Sequence, residues 1–107
     1  MTLCAFAGVA SAQTHPTGAE VASIGRGRVL AEENCARCHA IGESGESTHP
    51  GAPAFRTLSS RYPVADIAEA FAEGVRVGHP DMPEFQFQPR QIDDLINYLQ
   101  SIQRPQH

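Results

Sequence analysis

The chain has no tryptophan and no lysine, and its aromatic residues stop at two tyrosines and five phenylalanines in 107 residues. All eight basic residues are arginines, set against twelve acids for a formal net charge of -4. That excludes the basic patch nucleic-acid binding needs and gives no attraction to an anionic membrane surface. No apolar run is long enough to span a bilayer, and no segment reads convincingly as a strand. Internal repeats are absent as well. The shortage of large apolar side chains bears on stability. A domain of this size has a limited core, and small domains lean on a disulfide, a metal or a cofactor.

Residues 1–12 carry no charge, are small and apolar, and end in Ala10-Ser11-Ala12. This is an A-x-A cleavage pattern, so residues 1–12 are expected to be the rear part of a secretory signal whose basic start is missing. The mature domain then runs from 13 to 107 as one periplasmic unit. The alternative is an ordinary apolar N-terminal strand or helix. Cys4 lies in this segment behind Thr2 and Leu3, a poor lipobox, and is expected to be removed with it.

Three helical patterns follow. The first spans about Glu20 to Asn34, with Val21, Ile24, Arg28, Ala31 and Cys35 at helical spacing. Gly27 interrupts it at a cost in helix propensity, which points to a close packing contact. Residues 41–55 read as loop, rich in Gly, Ser and Pro. A second helix follows Pro63, with Ile67, Phe71 and Val75 on one stripe and Gly74 or Gly78 at its exit. Another irregular stretch runs from Gly78 to Pro89. The last helix is the clearest: Ile92, Leu95, Ile96, Leu99 and Ile102 match the amphipathic template. Asp93 and Asp94 suit the dipole at its start, Arg104 suits its end, and Pro105 stops it. The fold class is therefore all-α, three to four helices and long loops.

The chemistry sits in Cys35-Ala36-Arg37-Cys38-His39, a C-x-x-C-H sequence, which is the pattern of covalent haem c attachment. Two thiols three residues apart at a helix end can each add to one vinyl group of the same porphyrin. The histidine that follows lies under the iron as a nitrogen ligand. A thioredoxin-like dithiol is the first rival, but it normally needs a strand before the motif. A zinc site is the second; zinc takes about four ligands and the chain has three cysteines, Cys4 included.

With Asp81-Met82-Pro83 downstream, the motif makes the chain resemble a short bacterial class I c-type cytochrome over nearly the whole mature length. The resemblance implies a cytochrome c-like fold around one haem. It implies that Gly27 packs against the last helix near Tyr98-Leu99, that the Pro53 carbonyl accepts a hydrogen bond from the His39 imidazole, and that Met82 occupies the distal ligand loop. Ala31 departs from the family, many of whose members carry an aromatic residue there. The acidic, lysine-free composition departs from the mitochondrial members, so their docking logic does not transfer.

A thioether sulfur prefers iron(II), so a His39/Met82 pair raises the reduction potential. Met82 is the one internal methionine, braced by Pro80 and Pro83; the bland reading is that it fills a core gap. His79 and His49 are the rival sixth ligands. Phe55, Phe71, Phe85 and Phe87 are expected in the haem crevice or the core. Arg56, Arg61 and Tyr62 are within reach of a haem propionate or else solvated. The expected function is a soluble, monomeric single-electron carrier between redox partner proteins, not an enzyme. The alternatives are a haem protein with an open sixth site, binding small ligands or reacting with peroxide, and a cytochrome subunit of a larger redox enzyme.

Overall fold

Helix α1 (Gly18–Asn34) begins where the Thr17 hydroxyl accepts the Glu20 N–H at 3.1 Å, in a computed structural model that describes residues 15–74 and 81–103. That bond satisfies one of the donors a helix start leaves open. The face α1 buries is not the stripe its larger side chains suggest. Val21 is 56% exposed and Arg28 faces outward, while Ser23, Gly27, Ala31 and then Cys35 are buried. Only Ile24 of the larger apolar residues packs partly on the core. Small residues four apart make a groove rather than a ridge, and a second helix fills it.

That helix is α3 (Pro89–Ser101), which starts before its first buried apolar residue, at a proline whose fixed φ suits a first turn. The Gln91 side chain accepts the Gln88 N–H at 2.8 Å. Ile92, Leu95, Ile96 and Leu99 are buried as expected, with Leu95 and Leu99 the most fully enclosed. A Cβ on Gly27 would collide with the Asp94 carbonyl oxygen and lie 2.7 Å from Tyr98 Cβ, so the two helices meet backbone to backbone.

Asp94 acts differently from a dipole-neutralising surface acid. It is buried, and Arg26 grips it through Nε at 2.9 Å and Nη2 at 3.1 Å. The Ser23 hydroxyl donates to it at 2.6 Å, and the Asn97 amide donates to Ser23 at 2.9 Å. The Arg26 hydrogen bond, ahead of burial, holds the Asp94 carboxyl below its ordinary range.

Helix α2 (Val64–Glu73) follows Pro63 and buries Val64, Ile67 and Phe71. It ends at Gly74, whose φ of +69° is the left-handed conformation that glycine adopts without a Cβ clash. Gly78, the other expected exit, lies outside the described residues, as do Val75, Arg104, Pro105 and residues 1–12. A six-residue 3-10 helix, Phe55–Ser60, has no counterpart in the sequence reading. It buries Phe55 and Leu58 and is pinned by Gln103, which accepts the Ser59 N–H at 2.8 Å and donates to the Phe55 carbonyl at 2.7 Å. The fold is all-α, with no strand among the described residues.

Candidate functional site

The C-terminus of α1 delivers the motif. The Cys35 N–H closes the last helical bond to the Ala31 carbonyl at 2.8 Å. The chain then turns back on itself, and the N–H groups of Cys38 and His39 both reach the Cys35 carbonyl, at 3.2 and 2.9 Å. Cys35, Cys38 and His39 therefore sit on one tight turn. Cys35 is buried, and Cys38 and His39 are half-buried.

His39 Nδ1 lies 2.8 Å from the Pro53 carbonyl oxygen. A carbonyl only accepts, so Nδ1 carries the proton and Nε2 presents its lone pair as a ligand would. The intervening loop is tied down from several sides. The Phe55 N–H donates to the Ala40 carbonyl at 2.9 Å, the Ala40 N–H to the Ser47 hydroxyl at 2.9 Å, and the His49 N–H to the Cys38 carbonyl at 3.2 Å. The Tyr98 hydroxyl donates to the Ile41 carbonyl at 2.6 Å, which joins this loop to α3. The 3-10 helix brings the Phe55 ring 4.9 Å from the His39 ring.

Both cysteines are free thiols, and burial pushes the Cys35 thiol up to about 11. A redox dithiol works through a thiolate favoured by a lowered pKa, the opposite of what burial does to Cys35, and its motif normally follows a strand, whereas here helix α1 leads into it. Among the described residues no three His, Cys, Asp or Glu side chains gather as they would around a metal ion.

Met82 is half-buried and packs on the edge of the core with Phe85 and Phe87. Phe87 meets Phe71 edge-on at 5.4 Å and stacks on Phe85 at 5.5 Å. Asp81, next to Met82, lies 3.4 Å from His49 Nε2. This pairing was not evident from sequence, and it joins the Met82 segment to the loop behind His39. It also gives one rival sixth ligand, His49, a different neighbour. The other rival, His79, lies outside the described residues with Gly78 and Pro80. Arg61 and Tyr62 are exposed. Arg56 is not: its Nε and Nη1 are buried without a hydrogen-bond partner.

Two unpaired thiols and an imidazole on a single turn, with half-buried aromatic residues and a buried guanidinium lacking an acceptor, suit a porphyrin that forms two thioethers and carries carboxylates. Comparison with known proteins agrees. The family model described as Cytochrome c matches residues 24–103, a span that contains the motif, Pro53 and Met82. A "Cytochrome c-553-like" protein of Synechocystis sp. (strain ATCC 27184 / PCC 6803 / Kazusa) is 32% identical over 77 residues, covering 72% of this chain and 67% of its own. No solved structure matches at a significant level. The chain belongs to the cytochrome c family, class I, and is an electron carrier with covalently attached haem c.

Proposed function

We propose that the haem is bound through thioethers at Cys35 and Cys38, with His39 and Met82 as axial ligands, and that the protein shuttles single electrons between periplasmic redox proteins without catalysing a reaction of its own. The observation that carries this reading is the 2.8 Å contact of His39 Nδ1 with the Pro53 carbonyl. A second partner on the distal nitrogen fixes the tautomer and orientation of a ligating imidazole and raises its basicity. When bound, the haem supplies a one-electron iron couple. The protein's part is to keep that couple closed to substrate. Met82, on the same core edge as Phe85 and Phe87, would supply the iron with a soft sulfur ligand that raises the potential. With His39 and Met82 both bound, the iron would be closed to substrate and left to exchange electrons alone.

Export rests on the uncharged segment ending in Ala10-Ser11-Ala12. The lysine-free surface and net charge of -4, made more negative by the haem propionates, favour redox partners that do not depend on a lysine-rich face.

The test is an optical spectrum of the purified protein in both redox states, with a pyridine haemochrome assay and a Met82→Ala variant. The wild type is expected to hold one haem per chain and show the weak far-red band of methionine sulfur on iron(III). Its ferrous form is expected to resist carbon monoxide. Met82→Ala should keep its haem, lose the band, bind carbon monoxide and show a lower potential. Rapid carbon monoxide binding by wild type, unchanged in Met82→Ala, would mean an open sixth site. Six-coordination indifferent to Met82 would point to His79.

A further inference from the structure

We propose that Gln103 is a positioning residue for the axial histidine: its side-chain amide sets how firmly the Pro53 carbonyl holds the His39 imidazole. The inference rests on the haem-site reading above and adds to it a residue beyond the end of α3 that the site itself does not contain. An amide side chain has one oxygen acceptor and two N–H donors. Gln103 uses the oxygen and the nitrogen alike: Oε1 accepts the Ser59 N–H at 2.8 Å, and Nε2 donates to the Phe55 and Leu99 carbonyls, each at 2.7 Å. Leu99 is among the last residues of α3, whose carbonyls a helix leaves without an onward partner of its own. The amide therefore ties the end of α3 to both ends of the 3-10 helix Phe55–Ser60. That helix has no side-chain cap at its start, and 3-10 hydrogen bonds are poorly aligned, so it depends on an outside anchor.

The anchored segment is the one that supports the histidine. The Pro53 carbonyl lies 2.8 Å from His39 Nδ1, the Phe55 N–H donates to the Ala40 carbonyl at 2.9 Å, and the Phe55 ring lies 4.9 Å from the His39 ring. Residues 53–55 are thus fastened to the motif on one side and, through Gln103, to α3 on the other. Slack at Gln103 passes to the Pro53 carbonyl. The hydrogen bond made there sets the basicity of the imidazole. A weaker bond makes His39 a poorer donor to iron(III), so the reduction potential rises. A pocket that had only loosened and admitted water would move it the other way, because water favours the more highly charged ferric state.

The test compares wild type, Gln103→Met and Asp94→Ala holoproteins, made with a cytochrome c maturation system. Haem content is read by pyridine haemochrome, the His39 Nδ1–H resonance and its exchange with solvent by NMR of the reduced protein, and the potential by titration. Gln103→Met keeps the length of the side chain and loses all three hydrogen bonds. It should retain its haem, shift the Nδ1–H resonance upfield and exchange that proton roughly tenfold faster, the factor that loss of about one net hydrogen bond from the closed state gives. Its potential should rise. Asp94→Ala breaks the contact with Arg26 farther up α3 and serves as the control for lost stability; its Nδ1–H resonance and potential should match wild type. A haem-loaded Gln103→Met with resonance and potential unchanged, or with a lowered potential, would overturn the proposal and leave the haem-site reading intact. The same shifts in Asp94→Ala would also overturn it, since they would then follow stability alone. Wild type without covalent haem would overturn the haem-site reading itself. If Gln103→Met does not accumulate, exchange in the wild-type holoprotein decides. The Ser59 N–H and the His39 Nδ1–H should open together with equal protection, and an Nδ1–H protected more than roughly tenfold better than the Ser59 N–H would overturn the proposal.

Discussion

The α1–α3 crossing and the turn that follows it are adjacent in sequence but differ in how they are completed. At the crossing the protein supplies everything. Ala31 is entirely enclosed, Leu95 and Leu99 nearly so, and Asp94 finds three donors in Arg26 and Ser23. In the second region, Cys38 and His39 on the turn and Met82, Phe85 and Phe87 before α3 are only half-buried, and Arg56 has donors without acceptors. The first region is a finished helix–helix interface; the second is a wall of donors and aromatic rings waiting for a partner of its own size. A small domain gains core most cheaply by enclosing a large rigid group, and the division follows from that. The protein-only half holds the cofactor half in place.

The largest break in this comparison comes from removing the haem. Changing Cys35 and Cys38 to Ala together should abolish covalent attachment, read by mass spectrometry as loss of the haem mass. The haem-free protein should lose its near-ultraviolet circular dichroism and its cooperative thermal transition, while part of its helix signal persists. A cooperative melt close to that of the holoprotein would show that the second region is as self-sufficient as the first.

The next break acts on the crossing itself, through two glycines two residues apart on α1. A Cβ on Gly27 would strike α3 backbone, whereas one on Gly25 meets nothing within 4 Å. Gly27→Ala should therefore destabilise the holoprotein by about 2 kcal/mol, after a helix-propensity gain of roughly 1 kcal/mol is set against the overpacking. For a domain of this size that is a fall in melting temperature of roughly 10 °C. Gly25→Ala receives the propensity gain alone and should raise stability by about 0.5 to 1 kcal/mol. Equal effects at the two positions would mean that the close approach at Gly27 does not limit stability.

The two regions were also unequally legible in the sequence. The C-x-x-C-H motif is local, so five consecutive residues state its chemistry, and the period of α3 is unbroken because its buried residues are large. The contacts of Gly27 with α3 and of His39 with Pro53 came from family resemblance, since nothing in their spacing implies them. The inner face of α1 is hidden in the sequence because Ser23, Gly27 and Ala31 carry little hydrophobic signal while the exposed Val21 carries much. The 3-10 helix at Phe55 is too short to show a period. Asp94 looked like a dipole residue because its partner, Arg26, lies 68 residues away. Arg56 could not be told from Arg61 and Tyr62, because having no acceptor is a consequence of burial and not of residue type.

The finest test separates charge from packing at the crossing. Asp94 is held below its ordinary range, first by the Arg26 hydrogen bond and also by Ser23, with burial opposing them. A carboxyl whose folded-state pKa lies below its unfolded value adds stability above the unfolded value, about 3.9. That contribution disappears as pH falls towards and through the lower folded-state value. Asp94→Asn should therefore be less stable than wild type at pH 7, and the gap should stay level down to about pH 5. It should then narrow in more acidic solution, as wild type loses the charge the variant never had. The effect should be small and weaken with salt, because the Arg26 side chain is half-exposed and water screens the pair. Denaturant midpoints of the two holoproteins from pH 7 to pH 3 check this. A gap that holds constant into acid would mean that Asp94 matters at the crossing for its shape and its acceptance of the Ser23 hydroxyl, with its charge adding nothing.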